Sequence, residues 1–159
     1  MFRARQISRR RFLWGSSLGL LACALSQPSR VWANNTGLRN LNAFNARSPE
    51  SVLAALGLPT PIQSHLIQID APDVAENGAN VPIEVNIRIP NAERALLIAD
   101  RNVYPLIADV QFGSRSDPWF EAKIKLAETS NVRVLVQAKR QIFAASRPVK
   151  VIVGGCLAG

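Results

Sequence analysis

The residue most able to do chemistry is Cys156, which stands in the sequence Gly154-Gly155-Cys156-Leu157-Ala158-Gly159. A thiolate is a strong nucleophile and a natural point for covalent attachment of cargo. Two glycines directly before it remove the Cβ constraint and widen the backbone choices. A terminal stretch of this kind is expected to be mobile, so the spacing predicts a thiol on a short arm with Gly154 and Gly155 as its hinge. A plain exposed cysteine that dimerises by disulfide has the same residues and remains open at this point. No other group competes. The one histidine, His65, precedes the first long strand pattern without metal-ligating or triad partners in view, and is expected at the surface. There is no Cys/His cluster for zinc, no glycine-rich phosphate loop and no recognisable carboxylate pair. The expectation is a protein that is not an enzyme, binds no metal and needs no cofactor.

The elements that must position the thiol begin with the segment before it. Val149, Val151 and Val153 alternate with Lys150 and Ile152, the pattern of a strand running straight into the glycines. Upstream, Val81, Ile83, Val85, Ile87 and Ile89 share one face and Pro82, Glu84, Asn86 and Arg88 the other. Phe120, Ala122, Ile124 and Leu126 alternate in the same way, as do Val132, Val134 and Val136. Shorter apolar runs occur at Ile67–Ile69, Ala95–Ala99 and Leu106–Phe112. Turn-forming residues separate them, among them Glu76-Asn77-Gly78, Pro90-Asn91, Asn102, Gly113-Ser114, Asp117-Pro118, Ser130-Asn131 and Lys139–Gln141. Roughly seven or eight such strands without intervening helices predict an all-β chain, an immunoglobulin-like antiparallel β-sandwich. A short helix comes first: Ser48 can cap it, Pro49 suits its first turn, Gly57 ends it, so the helix spans Pro49–Leu56.

The N-terminus reads as a signal peptide. Met1–Arg11 is basic, Phe12–Leu25 is apolar, and Val31-Trp32-Ala33 ends in small residues suited to cleavage. The apolar part is shorter than the roughly 20 residues of a permanent span, so no membrane span is expected. Ser8-Arg9-Arg10-Arg11-Phe12-Leu13 fits the twin-arginine pattern, which directs export of a folded protein to the periplasm; a Sec signal with a chance arginine pair is the alternative. Leu20-Leu21-Ala22-Cys23 also resembles a lipoprotein box, though Leu21 suits it poorly, and cleavage after Ala33 is preferred because Val31-Trp32-Ala33 supplies a competing site.

Charge supports this division. The chain has a net charge of +8, yet six of its 19 basic residues lie in the first thirty positions and no acidic residue precedes Glu50. The remaining 13 basic and 11 acidic residues give a net of +2, which offers no electrostatic case for nucleic acid. The expected organisation is a signal peptide over 1–33, an arm and short helix over 34–65, a sandwich over 66–153 and a carrier tail over 154–159. Once the signal is removed Cys156 is the only cysteine, and an internal disulfide is impossible.

From about Pro49 onward the chain resembles the SoxY family, the sulfur-carrying subunits of the periplasmic thiosulfate-oxidising Sox system. The resemblance rests on Ile69-Asp70-Ala71-Pro72, Ala75-Glu76-Asn77-Gly78 with Val81-Pro82-Ile83, Asn102, Pro105-Leu106, Lys123-Ile124-Lys125-Leu126, Thr129-Ser130-Asn131-Val132, Val149-Lys150-Val151 and Gly154-Gly155-Cys156. It implies a carrier of thiosulfate-derived sulfur on Cys156, with Gly154 and Gly155 as the swinging hinge. It implies a heterodimer with a SoxZ-like subunit. The implied enzymes are a c-type haem SoxAX-like enzyme that loads thiosulfate, a SoxB-like hydrolase that releases sulfate, and a SoxCD-like sulfane dehydrogenase or another acceptor. The family usually ends Gly-Gly-Cys-Gly-Gly, whereas Leu157-Ala158-Gly159 follow the cysteine here. That bulk motivates the alternative of a periplasmic binding or structural subunit whose cysteine stays unloaded.

Overall fold

The computed structural model describes residues 39–153. The expected signal peptide with Cys23, and the segment Gly154–Gly159 with Cys156, lie outside the described residues. Two helices, α1 (Leu41–Phe44) and α2 (Pro49–Leu56), precede nine strands. These are β1 (Ile62–Gln63), β2 (Ile67–Asp70), β3 (Val74–Asn77), β4 (Val81–Ile87), β5 (Ala92–Ala99), β6 (Leu106–Gln111), β7 (Trp119–Ile124), β8 (Ser130–Ala138) and β9 (Gln141–Val153).

Helix α2 has the bounds its end signals dictate. Ser48 and Ser51 exchange a reciprocal capping box, Pro49 starts the first turn, and Gly57 ends the helix at φ 63°. Helix α1 lies inside the expected arm and carries no helical signature in the sequence. Asn40 caps it by accepting from the Ala43 N–H, but four residues are too few for a periodic signature.

The strands form an immunoglobulin-like sandwich of two sheets. One runs β1-β9-β8-β5-β6, with β3 also on β9; the other is β2-β4-β7. Pairing is antiparallel throughout the second sheet and through most of the first. The exceptions are β1 and β3, which both lie parallel to β9, so the larger sheet is mixed rather than wholly antiparallel. Strand β9 is 13 residues long and offers its outer edge to β1 at Phe143–Ala144 and to β3 from Lys150 onward. Pro148, which has no N–H to donate, falls in the gap between these two partners.

The large sheet is covered on both faces, which explains its unbroken apolar runs. Ala95, Leu97 and Ala99 of β5, with Val132, Val134 and Val136 of β8, point at the small sheet and pack on Ile67, Val81, Ile83 and Val85. Leu96, Ile98 and Leu135 point the other way, against Ala43 of α1 and Val52 of α2. No helix among the described residues is long and apolar enough to cross a membrane.

Candidate functional site

Gly154-Gly155-Cys156 is entered from a platform formed by the last part of β9, and three neighbours fasten it.

The first is β8. Its pairing with β9 ends at Ser130↔Val149, but the next residue extends the grip through a side chain. Thr129 Oγ1 accepts from the Val151 N–H at 3.0 Å and lies 3.4 Å from the Val151 carbonyl oxygen, to which it can donate. One hydroxyl thus replaces a missing pair of the ladder.

The second is β3. Val74, Ala75 and Asn77 register with Lys150, Val151 and Val153, and the Lys150 N–H donates to the Asp73 carbonyl at 2.9 Å. Arg147 brings this strand to β9. Its Nε donates to the Ala71 carbonyl and its guanidinium reaches Asp73 Oδ1, both at 3.0 Å. The Asp73 carboxylate is well exposed, so the ion pair itself adds little and the bond to the backbone does the positioning.

The third is the turn after β3. The Gly78 N–H donates to the Val153 carbonyl at 2.7 Å, and the Gly78 carbonyl accepts from the Leu126 N–H at 2.7 Å. Asn77 Oδ1 accepts from the Ala79 N–H at 2.8 Å, the side-chain-to-backbone bond that holds such a turn. Leu126 is fully buried, so this chain of bonds ties Val153 to the core.

Behind the platform, Asn102 holds the β5–β6 loop. Its Nδ2 donates to the Lys125 carbonyl at 2.8 Å and its Oδ1 accepts from the Ala127 N–H at 2.9 Å. Ser130 is buried, and its Oγ accepts from the Arg101 N–H at 3.1 Å. Thus Gly78, read from the sequence as a turn residue, and Thr129, part of the family motif, fasten the strand end, while the turn residues Asn102 and Ser130 hold the loops beside it. The types of Gly78, Asn102 and Ser130 gave the turns; the partners of all four, 22 to 29 positions away where side chains act, gave no sequence signal.

Other candidates resolve as solvated. His65 is exposed in the turn before β2, and Lys123 and Lys125 are exposed beside the buried Ile124 and Leu126. Among the described residues no cluster of His, Cys, Asp and Glu could hold a metal. The one clear departure among the ionisable groups of the described residues is remote from the platform. Arg94 is held above its ordinary pKa by its hydrogen bonds to Asp109, at 2.7 and 2.6 Å, against the opposing effect of burial, and the charge of Asp109 adds to the rise.

A sandwich whose final strand is held on both edges as far as Val151 and on one edge as far as Val153, just before Gly-Gly-Cys, defines a platform protein with a thiol in the sequence that follows. The comparisons specify the family. The family model described as "Sulfur oxidation protein SoxY" matches residues 52–156, a stretch that includes Cys156. The solved structure of the sulfur carrier protein SoxY from Chlorobium limicola f thiosulfatophilum is 35% identical with a TM-score of 0.59, over 64% of this chain and 93% of that one. No curated protein matches. The chain belongs to the SoxY family.

Proposed function

We propose that this chain is a periplasmic carrier that holds thiosulfate-derived sulfur covalently on Cys156, with Gly154 and Gly155 as its hinge. The observation that carries the reading is the combination of a family match reaching Cys156 with a strand fastened as far as Val153. A carrier needs a fixed body and a short link, so that the cargo atom is presented within a bounded distance of a surface.

The chemistry balances as follows. The Cys156 thiol loses a proton, its sulfur bonds to the sulfane sulfur of thiosulfate, and two electrons pass to a c-type haem SoxAX-like enzyme. Water then cleaves the S–SO₃ bond on a SoxB-like hydrolase, releasing sulfate and leaving a persulfide on Cys156. A SoxCD-like dehydrogenase oxidises the remaining sulfane sulfur in place to a Cys156-bound sulfonate, with three waters supplying the oxygens and six electrons passing to the enzyme, or another acceptor takes that sulfur and leaves the thiol. The carrier performs none of these steps itself; it is the substrate-bearing partner of each. A SoxZ-like subunit completes the heterodimer, and a folded pair suits export by the twin-arginine signal at Arg9-Arg10.

Leu157 and Ala158 favour a second reading, a periplasmic binding or structural subunit with an unloaded thiol. The test is Cys156→Ser in cells that depend on this chain for thiosulfate oxidation. The carrier reading expects a folded, exported protein and no thiosulfate oxidation; wild-type oxidation by the variant would leave the second reading.

A further inference from the structure

Three of the eight large apolar side chains exposed among the described residues sit together at the root of the thiol-bearing segment: Val74 is 49% exposed, Ile152 64% and Val153 46%. The register of β3 on β9 turns Ala75 and Val151 inward, so Val74 and Ile152 fall on the outward face. Val153, next along the strand, points to the opposite side. The strand end therefore presents apolar surface on two faces at once, with exposed Lys150 and Glu76 beside it.

The length of chain beyond Val153 restricts what meets this surface. Cys156 follows Val153 by three residues, so whatever its conformation its Cα lies no more than about 11 Å from that of Val153. The bonds from Thr129 and Gly78 stop β9 from peeling away to lengthen the link. An enzyme whose reacting groups lie in a cleft rather than on its rim must therefore bring that rim down onto the strand end.

Resting on the carrier reading above, we propose that Val74, Ile152 and Val153 form the docking collar for the enzyme that loads Cys156. That enzyme meets them with a concave apolar mouth enclosing the strand end. A flat rim would leave one of the two apolar faces uncovered, and charged groups on the rim would have only Lys150 and Glu76 to meet.

The test uses the mature chain purified from periplasm with any subunit it carries. The probes are thiosulfate and a periplasmic extract of cells lacking this gene, grown on an organic substrate with thiosulfate present. The rate at which Cys156 gains mass is followed for wild type, Ile152→Glu, Ile152→Leu and Val103→Glu. Val103 is an exposed apolar residue, 57% accessible, in the β5–β6 loop, and controls for added charge. Ile152→Glu should load about tenfold or more slowly, as loss of a central contact does. Ile152→Leu and Val103→Glu should load near the wild-type rate, and all four should react alike with iodoacetamide. Wild-type loading by Ile152→Glu, or an equal fall in Val103→Glu, overturns the collar and leaves the carrier reading intact. A wild-type thiol that never gains mass overturns both.

Discussion

The Val153 carbonyl accepts a hydrogen bond from the Gly78 N–H at 2.7 Å, closing the last described residue of β9 onto a turn 75 positions earlier in the chain. The carbonyl of the same glycine is bonded to Leu126, so the strand end is coupled to the core rather than left to fray. The thiol three residues on is therefore measured from a fixed point.

Thr129→Val tests the side-chain part of this grip. It keeps the shape and removes the hydroxyl that accepts from Val151. The site is exposed, so the expected loss is about 0.5–1.5 kcal/mol in urea unfolding. Faster amide exchange confined to Val151 and its neighbours in β9 is expected with it.

Asn102 separates donor from acceptor. Asn102→Ala removes both its bonds, to the Lys125 carbonyl and from the Ala127 N–H, with an expected loss of about 1–3 kcal/mol. Asn102→Asp keeps the acceptor for Ala127 and loses the donor to Lys125. It should fall between wild type and the alanine variant on thermal unfolding.

Leu97 is fully buried between the two sheets. Leu97→Ala should cost about 2–5 kcal/mol through lost burial and a residual cavity, read as a fall in the urea midpoint with an unchanged slope. A loss under about 1 kcal/mol would mean the sheets close over the gap.

Deleting Gly154 and Gly155 would cut the reach of Cys156 from about 11 Å to about 4 Å beyond Val153. The sandwich should unfold at the same temperature as wild type, because its core is complete without these residues. Alkylation by iodoacetamide should persist, while thiosulfate-dependent loading by a periplasmic extract should stop. Continued loading would show that hinge length is unimportant.

Much of this was legible in the sequence because its cause is local. Helix α2 is set by Ser48, Pro49 and Gly57 within one short stretch, and β4, β7 and β8 by a period of two that one buried face imposes. Strands β1 and β3 were not legible, since two and four residues carry no period. Their parallel pairing with β9 depends on an edge some 75 to 80 positions away. For the same reason Glu76-Asn77-Gly78 read only as a turn, although β3 runs through Asn77 and Gly78 holds Val153. At the site, the proposed chemistry is read from the residue type of Cys156, whereas the fastened strand end that bounds its reach emerged only with the fold.

The most direct measurement is the intact mass of the mature chain isolated from cells that are oxidising thiosulfate, with fragment mapping and a parallel sample treated with a thiol reductant. A thiosulfate-derived adduct confined to Cys156 and removed by the reductant is the predicted result. An unmodified thiol at Cys156, in cells consuming thiosulfate through this system, would contradict the account.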